Sequence, residues 1–437
     1  MRRPPGHRPG RRGAAVAAAL PGPDRGRPGP GRRRPHRGPA DPGLTVRWIP
    51  PHRPSRGFRV SFGDRAAAPP AAPPAGPFSP LLDRAEIPLG DQRGRRLLRG
   101  RRVLVTGACG TVGGALCRRV WRLGPAALCL VDKDGRGLER LARELAGRPG
   151  GGRVTLAEAD VRDAPRVDAV VGEARPERLF HAAGRYRLAE VEHDPCRGVA
   201  DNVLGTRHVL DAAVRHGVRR LVLVSSDRAA EPTSVLGATM RLAELLLQTA
   251  TGGPTCFAAV RVGGVIGAPG TPFGPLARRI AAGEVVTIAH PEAARHVMTV
   301  TEAAGLLIEA AALAEEAETF ALDIGSPVPV LDLVQRYAAQ LRSPAVTIRF
   351  RGLGPGEKLA EKAFADSERR IRTAHPKIWG TRPLPPPGGV PRLLDALAAA
   401  VEAGDADEVR LLLRRLLPEY RPARRSLPAS EVIREYR

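Results

Sequence analysis

Lysine is almost missing from this chain of 437 residues: only Lys133, Lys358, Lys362 and Lys377 occur. Aromatic residues make up 4% of it, so a core has to be built from Ala, Val and Leu rather than from rings. The five cysteines, Cys109, Cys117, Cys129, Cys196 and Cys256, form no CxxC pair and are odd in number, which argues against a disulfide framework. They read as reduced thiols, mostly in the core. No apolar run approaches the roughly 18 residues that a membrane helix needs. The segment Ala14–Leu20 imitates a signal peptide, but it is short and runs into PGPDRGRPGP, so a cytoplasmic location is expected.

Charge is abundant with one sign. The net charge is +24, which taken alone suggests a nucleic-acid partner or an acidic surface. Its distribution argues otherwise. Residues 1–100 hold about 21 Arg against about 6 acids, so more than half of the excess sits in a Pro/Gly/Arg-rich arm. No stacking aromatics or nucleic-acid module accompany it, and no nucleic-acid partner is expected. Arg in place of Lys throughout, with high Ala, Gly and Pro, is the signature of GC-rich coding. Residues 1–77 lack the apolar density to offset chain entropy and are expected to be disordered. A lead-in segment over 78–100 follows.

From residue 101 onward, short apolar runs alternate with helical periodicity. Leu128–Val131, Val154–Ala157, Leu179–Ala182, Leu221–Val224 and Phe257–Val260 read as strands. Gly137–Leu145, Asn202–His216 and Val235–Thr249 read as helices. This alternation predicts an α/β protein with a Rossmann-type, doubly wound parallel sheet over 101–262. A smaller substrate-binding region, interleaved with the core, is expected over 263–422. Leu393–Leu417 reads as a pair of short helices, and 423–437 as a partly ordered tail.

The first strand, RVLVTG, runs into GACGTVGG, which puts Gly107, Gly110 and Gly113 in GxxGxxG spacing. The first Gly permits the tight turn, the second lets backbone approach a pyrophosphate, and the third lets the helix pack on the strand. The helix start at Thr111 and Val112 offers free N–H groups to phosphate. Asp132 follows at the spacing of a ribose-binding carboxylate. Asp160 and Val161 end the third strand, where an adenine would lie, and Ala182 and Ala183 are small where the chain passes the cofactor. The cofactor expected is NAD or NADP. Asp132 favours NAD, because a carboxylate repels a 2′-phosphate, and Lys133 blurs that preference. His290 and His296 have no companions in metal-ligand spacing, and no metal is expected.

The stretches RVLVTGACGTVGGALCRR, FHAAG, VEHDP, DNVLGTRHVLDAA, LVLVSSDRAAEPTSVLGATMRLAE, AVRVGGVIG, HPEAARHVMTVTEA, GPGEKLAEK, HPKIW and LLPEYRP occur in order from about Leu81 to about Pro422. In these the chain resembles the polysaccharide-biosynthesis (CapD-type) nucleotide-sugar dehydratase/epimerase family of extended short-chain dehydrogenases. The resemblance implies a sugar 4,6-dehydratase or epimerase, a nucleotide-diphosphate sugar as substrate, and a homo-oligomer. It assigns Asn202 and Ser225 to the cofactor, and Glu192, Arg295, Glu357 and Lys358 to the substrate. Arg295 suits a diphosphate, since a planar guanidinium matches phosphate oxygens.

The resemblance breaks where proton transfer is concerned. The family's Thr-Asp-Lys acid/base segment is Ser226-Asp227-Arg228 here. Asp227 is retained as the general acid, whereas Arg228 keeps the charge but releases a proton poorly. The superfamily's Tyr and Lys, four apart on the next helix, are Leu236 and Met240, and no YxxxK occurs anywhere. The family's Lys-His pair is Tyr186-Arg187, which makes Tyr186 a candidate replacement, and the Asn of FGNV is Gly264. An active enzyme and a catalytically impaired binder of NAD(P) and nucleotide sugar are therefore both open.

Overall fold

The computed structural model describes residues 46–50, 79–82, 84–150, 152–250, 253–266, 273–342, 345–382, 390–423 and 432–436. Ten strands form the main sheet: β1 (Val46–Ile49), β2 (Arg102–Thr106), β3 (Ala127–Asp132), β4 (Arg153–Glu158), β5 (Arg178–His181), β6 (Arg220–Ser226), β7 (Cys256–Val262), β8 (Glu318–Leu322), β9 (Arg369–Arg372) and β10 (Ile378–Arg382). Their order is β1-β4-β3-β2-β5-β6-β7-β8-β10-β9. All neighbours from β1 to β8 run parallel; β10 and β9 return antiparallel.

The six strands β4-β3-β2-β5-β6-β7 reproduce the doubly wound Rossmann order, which reverses direction between β2 and β5. Ligands of such sheets bind beyond the carboxyl ends of the strands at that reversal, so the Gly-rich turn after β2 stands at the expected place. The central strands are continuously apolar, as burial on both faces demands; Leu221–Ser225 of β6 are all buried. One core lies on each face of the sheet. A third lies among the small sheets after β7.

Those small sheets form the region expected to hold substrate. Gly264–Ile266 pairs with Val297–Thr299, and Ala294–Arg295 pairs with Val328–Pro329. Val346–Phe350 pairs with both Val286–Ile288 and Val432–Tyr436. The helix pair anticipated near the C-terminus is Val390–Ala403 and Ala406–Leu416. It packs Leu397, Leu412, Leu413 and Leu416 against the core that also holds the helix Val235–Thr249.

Two expectations need correction, on the arm and on the cysteines. The arm over 1–77 lies mostly outside the described residues, but Val46–Ile49 is not disordered: it adds β1 beside β4, with Val46 and Ile49 buried on opposite faces of the sheet. The tail over 423–437, expected to be partly ordered, carries the strand Val432–Tyr436. Of the cysteines only Cys117 and Cys129 are buried; Cys109, Cys196 and Cys256 are half-buried, and all five are free.

Candidate functional site

The turn after β2 is shaped by backbone that side chains would obstruct. Gly107 has φ +66, and a Cβ there would lie 2.6 Å from the Ala183 nitrogen. The backbone of Ala182-Ala183, just beyond β5, therefore passes in contact with the turn, and the missing Cβ of Gly107 is what permits it. A Cβ on Gly113 would run into the Gly107 carbonyl, so the helix Thr111–Arg122 sits directly on the turn. Gly110 precedes that helix and, having no side chain, offers its first amides no cap from that position. These features fit a dinucleotide pyrophosphate: a cradle without Cβ atoms at a helix start.

Asp132 holds the turn from the side. One carboxylate oxygen accepts from the Cys109 amide at 2.9 Å, the other from the Asp134 amide at 3.1 Å. Each keeps a further lone pair for a ribose hydroxyl. Asp160 is bound by Arg162 at 2.6 Å, which holds its pKa down at about 2. Val161 is buried and packs where a Cβ on Gly205 would stand. Beneath the turn, His181 is fully buried between the Thr106 and Thr206 hydroxyls, at 2.7 and 3.1 Å. Burial lowers its pKa to about 4, so it is a neutral spacer between β2 and the helix Gly205–Arg215.

A second group gathers at the end of β6. Ser226 caps the short 3-10 turn Asp227–Ala229: its hydroxyl donates to Asp227 at 3.1 Å and accepts from the Arg228 amide at 3.3 Å. Asp227 is only 7% exposed. Desolvation and the nearby Glu361 carboxylate push its pKa up to about 6, against the pull of Arg228, Ser226 and Arg295. Arg228 donates to Glu361 at 2.6 Å, and Lys358 stands 3.2 Å from the other oxygen of Glu361. Arg295 donates to the Ala294 and Leu359 carbonyls, both at 2.8 Å, which aims its charge at this group. Two carboxylates and three cations thus share one corner above β6.

Glu361 is the functional candidate that sequence reasoning missed. It is 2% exposed and lies in the irregular stretch after the GPGEKL turn, where no periodicity marks it. Its signal was available only as a second acid three residues beyond Lys358.

Several expected ligand contacts are instead occupied by the protein. Asn202 lies in a π-helical turn, accepts from the Arg185 amide at 2.7 Å, and donates to the Arg185 carbonyl and Thr239. Ser225 donates to the buried Glu244 at 2.7 Å. Glu192 accepts from the Val235 amide at 2.5 Å and so caps the helix Val235–Thr249. Glu357 pairs with Arg351 at 2.6 Å, which lowers its pKa. Tyr186 exposes its ring but donates its hydroxyl to the Val224 carbonyl at 3.0 Å, and burial of that hydroxyl raises its pKa. Leu236 and Met240 do not face an open site; both are core residues, 1% and 2% exposed.

Beside the corner lies a buried ion network. Arg261 donates two bonds to Glu244, both at 2.8 Å, and two to Glu368, both at 2.7 Å. It also reaches the Ala363 carbonyl at 3.3 Å. This ties the loop that carries Glu361 to β7 and to the helix Val235–Thr249.

Comparison with known proteins follows the same division. Residues 103–383 match the family model described as polysaccharide biosynthesis protein. The chain is 34% identical over 302 residues to the probable polysaccharide biosynthesis protein EpsC of Bacillus subtilis, covering 68% of this chain and 50% of that protein. It is 33% identical over 305 residues to the capsular polysaccharide biosynthesis protein CapD of Staphylococcus aureus, covering 68% and 51%. The chain thus spans about half the length of the curated relatives it matches. Among solved structures, Pen from Bacillus thuringiensis superposes with a TM-score of 0.61 at 26% identity, over 66% of this chain and 88% of that one. The UDP-glucose 4-epimerase of Thermus thermophilus, solved in complex with NAD, shares the fold at a TM-score of 0.53 and 20% identity, over 60% and 89%. The Gly-rich turn, the Rossmann strand order and the family match over most of the described sheet place the chain in the polysaccharide biosynthesis protein family.

Proposed function

We propose that the chain holds a nicotinamide dinucleotide on the turn Gly107–Gly113 and a nucleotide-diphosphate sugar beside Asp227, and that it performs 4,6-dehydratase or epimerase chemistry in polysaccharide biosynthesis. One observation carries this reading. At the carboxyl ends of β2 and β6, on either side of β5, a glycine turn with no room for Cβ atoms at Gly107 and Gly113 and a buried carboxyl with an elevated pKa occur on the same edge of the sheet. The cofactor, when bound, supplies a hydride acceptor and donor. NAD is the better fit, since Asp132 places negative charge at the ribose.

The chain's own residues supply proton transfer and positioning. Asp227, with its pKa at about 6, holds a proton within reach of neutral pH and suits a general acid that protonates a departing hydroxyl. Arg228 is committed to Glu361 and acts as a fixed charge rather than as a base. Arg295 and Lys358 offer positive charge to the diphosphate. Glu361 orients both Arg228 and Lys358 toward that space.

A second reading has its own observation. With Leu236 and Met240 packed in the core, no Tyr-Lys pair stands at the usual positions on this helix. That favours a protein that binds both ligands and turns over slowly or not at all. Incubation with NAD and a panel of UDP- and dTDP-hexoses separates the two. A keto-sugar or an epimer supports the enzyme; saturable cofactor binding with no product on any sugar overturns it and leaves the binder.

A further inference from the structure

The strand β1 takes no part in the site described above, yet it is firmly docked. Trp48 pairs with Leu156 and Ile49 with Ala157 of β4. Arg47 meets Glu173 at 2.5 Å. The Arg166 guanidinium donates to the Pro50 carbonyl at 2.6 Å, to the Ile49 carbonyl at 2.7 Å and to the Glu158 carbonyl at 3.0 Å. One side chain therefore clamps the carboxyl ends of β1 and β4 together.

That clamp has a consequence for the space beside it. A cleft of about 820 Å³ opens at this end of the sheet, lined among others by Trp48, Ile49, Lys133, Glu158, Asp160 and Arg166. Lys133 follows Asp132 at the end of β3, and Asp160 lies two residues beyond β4, where an adenine would lie. The volume is within the usual range for a bound small molecule. Among the described residues lining the cleft, Trp48 is the one aromatic. Asp160 spends one bond of its Oδ2 on Arg162 and has a second lone pair for an exocyclic amine.

We propose that Trp48 forms the outer wall of the adenosine end of the cofactor cleft, presenting its indole to the purine. The segment before the Rossmann unit is then part of the cofactor site. A purine with an apolar face, flanked by a carboxylate and a cation, is the ligand chemistry these side chains match. The proposal rests on the reading that the chain binds a nicotinamide dinucleotide.

The test is calorimetric titration of the full chain, and of the variants Trp48→Ala and Trp48→Phe, with NAD and with ADP-ribose. The Trp48→Ala variant is expected to bind both ligands ~10-fold more weakly, with Trp48→Phe within about 2-fold of the parent. Trp48 emission should also change on addition of NAD, and that change should vanish in Trp48→Phe. If the parent binds NAD and Trp48→Ala binds it equally well, the wall is refuted while cofactor binding stands. Equal loss in Ala and Phe variants likewise refutes an aromatic wall. If the parent binds neither NAD nor ADP-ribose, the underlying reading fails, and the wall with it.

Discussion

Replacing Asp227 with Asn removes a buried charge from the corner above β6 and exposes the cost of ionising it. In the folded chain the carboxyl titrates at about 6, against an ordinary value of 3.8. A difference of roughly two units corresponds to ~3 kcal/mol between the protonation states. Because the folded pKa is raised, the bound proton favours the native state fully below pH 3.8, and that advantage is lost as pH rises through about 6. The amide imitates the neutral acid at every pH. Asp227→Asn should therefore gain stability on the parent as pH rises, the gap widening by ~2 kcal/mol between roughly pH 4.5 and pH 8. Urea unfolding followed by far-ultraviolet circular dichroism at those two values measures it, and any offset independent of pH cancels. The same variant should lose turnover by ~100-fold or more while still binding cofactor. A gap that stays constant or narrows would refute the reasoning, since Arg228 and Arg295 would then be stabilising the carboxylate outright.

Other perturbations test other parts. Glu361→Gln removes the second-largest influence that raises Asp227, so the pH at which activity falls should move down; an unmoved profile would separate the two carboxyls. Gly107→Val should abolish NAD binding in calorimetry, because the residue is at φ +66 with the Ala183 nitrogen 2.6 Å from the new Cβ. Arg261→Ala should cost about 3–5 kcal/mol in thermal or chemical unfolding, as it takes the bidentate cation from buried Glu368 and leaves Glu244 with only Ser225 and the more distant Arg241. Met240→Lys should lower the melting temperature rather than restore a ribose anchor, because it buries an unpaired ammonium.

How much of this was legible beforehand varies with the physics involved. The Rossmann half was readable because its signals are local: glycine spacing at a strand end, and apolar runs of the right length. The helix Val235–Thr249 appears with the boundaries its periodicity suggests. Leu236 and Met240 were legible as departures from the Tyr and Lys of the resemblance, but not as core residues, because burial of that helix is a tertiary fact: the pair Val390–Ala403 and Ala406–Leu416 joins the same core. β1 was missed because VRWI is too short for a period-2 pattern to stand out from a Pro- and Arg-rich background. Glu361 and the Arg261 network depend on which loops the fold brings together, and nothing in the spacing of their residues announces it. Asn202 and Ser225 were expected to contact the cofactor and Glu192 the substrate; in the structure they bond to backbone and buried partners, which no sequence spacing announces.

Sugar chemistry at Asp227 requires that the glycine turn hold a nicotinamide dinucleotide. Titrating the full chain with NAD and NADP, alongside Gly107→Val, asks this directly. The expected result is saturable binding of one dinucleotide per chain, tighter for NAD, and absent in the variant. No measurable binding of either dinucleotide by the folded parent would contradict it.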